Sequence, residues 1–587
     1  MIKAEIRNIE ILKNQMELSL EITLPYDHEV HSPKVTLIYV MNGETRFIPI
    51  LVQSYYPSGD GKTCTIIAGY KYNIDYLFSA PIKDDPINMQ VDVLYGETHY
   101  RDIPFFLSTK VSAVDSEFTL EADEKGILLK RKDKYVEEKQ NDFVIILRTI
   151  ISTVYSLFVR LLGVLLIPFL LVDSLFAFFK FKKGWVSREE RTPLRFFVDN
   201  VRVGFRSITH TEIGRKHFKK NFVSVCMFLF KNSKVVDNRI AFISNRRGEL
   251  SGNPADVYEV LKDDPSLEFK MLLDDNPMHR MSFKNLYKFA KYYSTSKVVI
   301  IDDFYELTSM VEKKPEVQLV QVWHACGAFK TFGFSRLGKP GGPKQTSFNH
   351  RMYDRAIVSS KEIRRFYAEG FGIPIENVVA TGVPRTDMFF DESIAQSMRE
   401  NFYKEYPSWE QKKIIMFAPT FRGNGRLTGH YPVDRFNLKE VADSLGPDYG
   451  IIVKMHPFVN NRFEIPEGYE DRIIDLSENS ELNDLLFVTD ILITDYSSAV
   501  FEASLLDIPM IMYAYDLSEY IATRDFYYEY KPMLPGKLVQ NQEDMVKAIL
   551  NDDFEMERIK PFKEKFFDHF DGKSAERVAE MIKELLV

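Results

Sequence analysis

Between Met16 and Leu24 every second residue is apolar. Met16, Leu18, Leu20, Ile22 and Leu24 alternate with Glu17, Ser19, Glu21 and Thr23. A period of two marks a strand with one buried face. Further β-rich runs follow at 34–40, 46–52, 63–70 and 89–94. Turn signals separate them, among them Asn42-Gly43 and Pro57-Ser58-Gly59-Asp60-Gly61. Short, evenly spaced strands predict a small β-sandwich-like accessory domain over 1–132. No catalytic constellation stands out in it.

The pattern changes after a polar connector at 133–142. Residues 143–179 are rich in Leu, Ile, Val and Phe, interrupted by Arg148, Arg160, Asp173 and Pro168. Neither charge-free piece, 149–159 or 161–172, reaches the ~18 residues of a spanning helix. Residues 180–220 then carry twelve Lys/Arg against four Asp/Glu. An apolar segment beside a basic one holds a protein on anionic lipid, at about 1 kcal/mol per basic residue near the surface. The expectation for 133–236 is a linker and a membrane-associating helical segment dipping into one leaflet. A buried hairpin with a solvated basic face competes with it, and a true bilayer span is a third reading.

From 237 the pattern alternates between short apolar runs and amphipathic stretches. Strand signals fall at 239–244, 269–273, 297–301, 318–322, 355–358 and 378–380, with helical segments at 255–261, 283–293 and 361–369. A second series has strands at 413–417, 450–454, 473–475, 490–494 and 509–513, and helices at 543–550 and 574–586. Alternating strands and helices predict doubly wound parallel sheets. The fold class is therefore α/β: one Rossmann-like domain over 237–400, a second over 401–587, and a ligand cleft between them.

Composition narrows the function. A net charge of −8 over 587 residues argues against a general nucleic-acid binder. The three cysteines, Cys64, Cys226 and Cys326, form neither a CxxC pair nor a zinc spacing, which fits a reducing, cytoplasmic setting. Residues 1–7 have no apolar h-region, so no secretory signal is expected. Asp302-Asp303 follows a strand, but no acidic set has metal-like spacing, and no metal or cofactor is expected.

The candidate chemistry lies at strand ends. Val320-Gln321-Val322-Trp323-His324-Ala325-Cys326-Gly327-Ala328-Phe329-Lys330 is an apolar run that stops at an aromatic, a histidine and small residues. Such a run delivers its last side chains to the crevice at the carboxyl edge of a parallel sheet. Alone, His324 reads equally well as a satisfied core histidine. Four more motifs follow strands: Thr381-Gly382-Val383-Pro384-Arg385, Pro419-Thr420-Phe421-Arg422, Lys454-Met455-His456-Pro457 and Thr494-Asp495-Tyr496-Ser497-Ser498. Ser497 and Ser498 open a helix whose free N–H groups form an anion site. Thr420, Arg422 and Arg385 offer hydrogen bonds and positive charge to phosphate. Glu502, one turn inside that helix, suits ribose hydroxyls. Taken alone the two serines are ordinary helix caps and Arg422 a surface charge. Their joint occurrence at strand ends favours a nucleotide diphosphate site without GxGxxG or P-loop.

The set Trp323-His324, Pro419-Thr420-x-Arg422, His456-Pro457 and Thr494-Asp495-Tyr496-Ser497-Ser498 resembles the CDP-glycerol glycerophosphotransferase family over about 240–540. This family contains the wall teichoic acid primases and polymerases of Gram-positive bacteria. The resemblance implies a GT-B fold and transfer of a polyol phosphate from a CDP-polyol to a lipid-linked teichoic acid chain, releasing CMP. It implies His324 as general base and His456 as a second functional histidine near the pyrophosphate. It places Trp323, Ala325, Cys326, Gly327, Arg385, Pro419, Thr420, Lys454, Met455, Ser497, Ser498 and Glu502 at the CDP-polyol. Glycerol-phosphate polymerases of the family usually read Trp-His-Gly-Thr-Pro. The Trp323-His324-Ala325-Cys326-Gly327 form is more similar to ribitol-phosphate polymerases, so CDP-ribitol is the expected donor and CDP-glycerol the alternative. The expected location is the cytoplasmic face of the membrane, on an anionic lipid surface. Two other functions compete: a GT-B glycosyltransferase using a sugar nucleotide, and a non-catalytic, membrane-tethered nucleotide-binding scaffold.

Overall fold

The computed structural model describes residues 2–77, 86–101, 103–109, 111–133, 151, 154, 212–423, 428–478 and 480–587. Apart from 151 and 154, the expected membrane hairpin at 143–179 and the basic stretch to 211 lie outside these residues. Among the described residues no helix is long and apolar enough to cross a membrane. The described chain forms two compact units. One falls within Met1–Tyr135, Ala255–Asp263 and Gln321–Lys583, the other within Val136–Pro254, Asp264–Val320 and Glu584–Val587.

The first unit begins with a two-sheet module. Its first sheet contains β1 (Lys3–Leu12), β2 (Gln15–Pro25), β5 (Val52–Pro57), β6 (Thr63–Asn73), β9 (Phe105–Leu107) and β10 (Ser112–Val114). The second contains β3 (Lys34–Met41), β4 (Glu44–Ile50), β7 (Ile87–Tyr95), β8 (Thr98–Tyr100), β11 (Phe118–Asp123) and β12 (Gly126–Arg131). The alternation in β2 is realised directly: Met16, Leu18, Leu20, Ile22 and Leu24 are all buried. They share one core with Leu37, Val91 and Val93 of the other sheet. Asn42 and Gly43 join β3 to β4 with φ of 55° and 78°, the left-handed pair that a two-residue hairpin needs. In this module β1, β5 and β8 to β12 escaped the sequence pattern. Three-residue strands such as β9 and β10, which pair with β1 in parallel, are too short to show a period.

The module is fastened to the α/β part of the same unit by buried polar contacts. Leu337, from the segment following His324, sits in the module's own core. Asp92 of β7 is fully buried and lies 2.6 Å from Arg365 of the helix Arg364–Phe371. Thr36 donates to Glu369 of that helix at 3.0 Å.

The α/β part holds a six-stranded parallel sheet in the order β21-β20-β19-β22-β23-β24. These are β19 (Lys413–Phe417), β20 (Tyr449–Val453), β21 (Ile473–Asp475), β22 (Ile491–Thr494), β23 (Met510–Tyr513) and β24 (Lys537–Val539). Helices cover both faces, so the strands are continuous apolar runs and not alternating ones. Strand order reverses between β19 and β22. The carboxyl ends of these two strands therefore flank the crevice where open α/β sheets take ligands. Before this sheet, β17 (Arg355–Ile357) and β18 (Val378–Val379) pair in parallel.

In the second unit, β13 (Val236–Ser244) lies between β14 (Glu268–Leu273) and β15 (Ser296–Ile301), all parallel. The helices Glu212–Leu229 and Phe283–Thr295 pack together, with Phe222 edge-on to Phe283 at 5.0 Å.

Candidate active site

The strand β16 (Gln318–Gln321) ends just before Trp323. Trp323 takes a left-handed φ of 43°, and its amide donates to Gln321 Oε1 at 2.9 Å. Its indole stacks on the His324 ring at 4.7 Å and meets Phe371 edge-on at 5.2 Å. A non-glycine residue in this region costs energy, and such strain gathers at functional sites. Here it turns a buried strand abruptly and leaves His324 half-buried at the bend. Tyr367 braces the turn from behind, its hydroxyl donating to the carbonyls of Gly327 at 2.9 Å and Ala325 at 3.4 Å.

Gly327 shows why the next position must lack a side chain. Its φ is 65°, and a Cβ there would stand 2.1 Å from Cε1 of Phe501. Phe501 lies in the helix Ala499–Leu505, which Ser497-Ser498 precede. The Trp-His turn thus packs against the helix that the Asp-Tyr-Ser-Ser motif leads into. Cys326 is buried beside Arg385 and Glu502, and burial pushes its thiol well above the usual range. Arg385 and Glu502 form an ion pair. Among the described residues, Glu502 Oε2 and Thr420 Oγ1 are buried without a hydrogen-bond partner. Buried polar atoms left this way are uncommon and call for an explanation.

At the switch point, the Thr420 amide donates to Asp495 Oδ1 at 2.7 Å, tying the end of β19 to the end of β22. Pro419 is buried between them. Ser497 Oγ accepts from the Ala499 amide at 3.2 Å, the capping role its position allows. Ser498 makes no such side-chain cap. His456 sits over Phe421 with ring centres 4.7 Å apart. Its Nδ1 accepts from the Phe458 amide at 3.1 Å, which leaves the proton of the neutral ring on Nε2.

Three residues expected at the ligand are already engaged within the protein. Lys454 spends its three donors on the carbonyls of Leu476, Ser477 and Ser480, and burial lowers its pKa. Met455 is buried in the core, its amide donating to Ser477 Oγ at 2.8 Å. Arg422 grips Asp516 with two hydrogen bonds of 2.7 and 2.9 Å and lies 3.0 Å from Asp495. Rings of Tyr496, Tyr515 and Tyr520 surround it at 5.1–5.5 Å. Burial opposes its charge, but Asp495 and Asp516 outweigh this and raise its pKa. These three side chains brace the site's loops. The pairing of Arg422 was not legible in the sequence, since Asp516 is ninety-four residues away.

Other residues at the site carried weaker sequence signals. Lys330 ends the Trp-His turn, its ammonium lying 5.3 Å from the Tyr520 ring centre. Burial pushes its pKa down to about 7, with Asp495 pulling upward and Arg524 and Arg422 pushing further down. Asp256 is raised to about 6 by burial and by Asp387 and Glu259, against Arg385. Asp516 follows β23, so the strand-end rule that found the other motifs would also have found it. Among the described residues no cluster of three His, Cys, Asp or Glu is placed to hold a metal ion.

A family model described as CDP-glycerol:poly(glycerophosphate) glycerophosphotransferase matches residues 224–584. The chain belongs to this family. Its relatives include the teichoic acid poly(ribitol-phosphate) polymerase of Bacillus spizizenii, 46% identical over 355 residues, covering 60% of this chain and 57% of that one. The chain thus spans little more than half the length of that relative. The teichoic acid ribitol-phosphate polymerase TarK of Staphylococcus aureus is 43% identical over 365 residues, 62% of this chain and 70% of the relative. A variant of the wall teichoic acid polymerase TagF has the same fold over 63% of this chain and 93% of its own, at TM-score 0.54 and 23% identity. The family match begins at residue 224, so the two-sheet module lies outside it.

Proposed function

We infer that the protein is a polyol-phosphate polymerase that moves ribitol phosphate from CDP-ribitol to the hydroxyl end of a lipid-linked teichoic acid chain. The observation that carries this reading is the meeting of the Trp-His turn with the Asp-Tyr-Ser-Ser helix, Gly327 against Phe501, beside the β19/β22 switch point. It brings a half-buried histidine to the place where an α/β sheet takes a nucleotide. Ribitol is favoured over glycerol because the relatives at 43–46% identity are named for ribitol phosphate.

In this reading the acceptor hydroxyl attacks the β-phosphorus of the donor, and His324 takes its proton. The bond from that phosphorus to the bridging oxygen breaks, and CMP leaves with the electron pair. Charge gathering on the phosphoryl oxygens is met by the Nε2–H of His456 and the amides ahead of Ala499. Arg385 exchanges part of its pairing with Glu502 for the pyrophosphate, which frees Glu502 for ribose hydroxyls. The two halves of the fold make a GT-B enzyme, the module before them is β-sandwich-like, and the apolar and basic stretches within 133–236 hold the protein on the anionic inner face of the membrane. That placement raises the effective concentration of a lipid-linked acceptor.

The test is CMP release by the purified full chain, offered CDP-ribitol or CDP-glycerol with a linkage-unit lipid acceptor. Acceptor-dependent release from CDP-ribitol, lost in His324→Ala, is the expected result. Release from CDP-glycerol alone would reassign the polyol. No release from either by folded protein would overturn the polymerase reading and bring forward sugar transfer or a scaffold role.

A further inference from the structure

The segment 525–530 and the helix Arg364–Phe371 hold the Trp-His turn, and both are held in turn by the two-sheet module. On the inner side, the Asp525 carbonyl accepts from the Thr331 amide at 2.9 Å and from its hydroxyl at 3.3 Å. Lys330 and Phe526 form an antiparallel bridge, and the Tyr527 amide donates to the Phe329 carbonyl at 2.9 Å. The Tyr527 hydroxyl bonds Ser335 at 2.9 Å, just past the turn. On the outer side, Lys34 of β3 pairs with the Asp525 carboxylate, whose other oxygen is taken by Lys339. The amides of His31 and Ser32 donate to Glu529 Oε1 at 2.9 and 2.6 Å. Two module contacts thus land within five residues of the strand that zips onto the turn. Two more, Asp92 with Arg365 and Thr36 with Glu369, land on the helix that carries Tyr367.

We propose that the two-sheet module is a working part of the catalytic unit, and that Lys34 is a positioning residue acting through Asp525 on the turn that carries His324. The proposal rests on the reading of that turn as the active site. A module that served only as an acceptor grip would have no reason to spend buried ion pairs on the back of the turn. Lys34 and Asp525 are largely buried, and without Lys34 the Asp525 carboxylate keeps Lys339 alone as its ion-pair partner and loses its tie to the module. The Asp525 backbone then loses its module-side anchor, which loosens the hydrogen bonds that fix Thr331. Displacing a reacting group by about 1 Å through a distant change costs up to about a hundredfold in rate.

The experiment compares Lys34→Met, Lys34→Arg and Glu97→Gln in the full chain. Glu97 pairs with Lys565 at 3.1 Å, a module contact away from the Asp525 and Glu529 carboxylates, although this lysine also lies over the Tyr528 ring at 4.2 Å. Hydrogen exchange is read at the amides of 327–332, and kcat and KM for donor are read from CMP release. The expected result for Lys34→Met is exchange faster by about tenfold or more at Thr331 and its neighbours. Its kcat should fall by about tenfold to a hundredfold, with donor KM changing far less. Lys34→Arg should recover most of both, and Glu97→Gln should leave both near the parent values. Unchanged exchange at 327–332 in folded Lys34→Met would overturn the proposal, as would equal effects of Glu97→Gln. Because exchange needs no turnover, a protein that released no CMP would refute the polymerase reading and still decide whether the module governs the turn.

Discussion

His324 and His456 sit in different surroundings, and the difference separates their expected roles. His324 is stacked on Trp323, half-buried at a strained turn, while His456 already accepts an amide on Nδ1 and presents Nε2–H. Replacing His324 by Ala should lower kcat by about a thousandfold, within the range of a lost general base, in single-turnover CMP release. Lys330 gives a pH prediction. Its folded pKa, about 7, lies below its usual value, so the ligand-free fold favours the neutral amine. The stability this group contributes is complete above its unfolded pKa and is lost as pH falls through about 7. An anionic donor reverses the preference and draws a proton in. Donor affinity should therefore fall as pH rises above about 7, by at most about tenfold per unit, and Lys330→Met should flatten the profile. An identical slope in the variant, read by titration calorimetry, would assign the effect elsewhere. Neither residue's environment could be read from its neighbours in sequence. The turn was legible from Val320 to Gly327, but the charges facing Lys330 come from β22 and from Arg422.

At the scale of elements, the helix Ala499–Leu505 and the Trp-His turn fit only because position 327 has no side chain. Gly327→Ala should cost about 2 kcal/mol from the left-handed backbone and the collision with Phe501. Thermal unfolding would show it, and Phe501→Leu in the same chain should return part of the loss. The Asp92–Arg365 contact makes a second prediction. Burial pushes the Asp92 carboxyl up, but His99 and Arg365 more than offset this and hold it below the ordinary range. Its contribution to stability is thus present above the unfolded carboxylate pKa and lost as pH falls below it. Arg365→Met should destabilise by about 3–5 kcal/mol at neutral pH, since it strands a buried charge. A melting temperature within a degree or two of the parent would show that the pair contributes little. The sequence pattern found most of the parallel strands, because fully buried strands are unbroken apolar runs. Its helix at 574–586 coincides with Ser574–Leu586. It missed β1, β5 and β8 to β12; of these, the three-residue β9 and β10 pair with β1, more than a hundred residues away.

For the molecule as a whole, the hydrophobic pattern, period-two at the start and alternating apolar runs with amphipathic stretches from 237, agrees with the strands described in each stretch. It gave no hint that these parts are bonded to each other, because Lys34–Asp525, Thr36–Glu369 and Asp92–Arg365 join residues 273 to 491 positions apart. Each reads locally as a solvated charge. Removing 1–132 should expose Leu337 and strand Asp525, Glu369 and Arg365, so the remaining chain is expected to be poorly soluble and to melt earlier than the full protein. Differential scanning calorimetry of the two forms would check this.

The grip of the module on segment 525–530 also limits how these enzymes can be recombined. A chimaera that joins the first 132 residues of one relative to the transferase portion of another breaks a lock whose two faces were cut together. Lys34 and the backbone at His31–Ser32 on one side, and Asp525, Glu529 and Lys339 on the other, form one contact set. Grafts that carry all six residues across the seam should keep the turn seated, and grafts that divide them should loosen it.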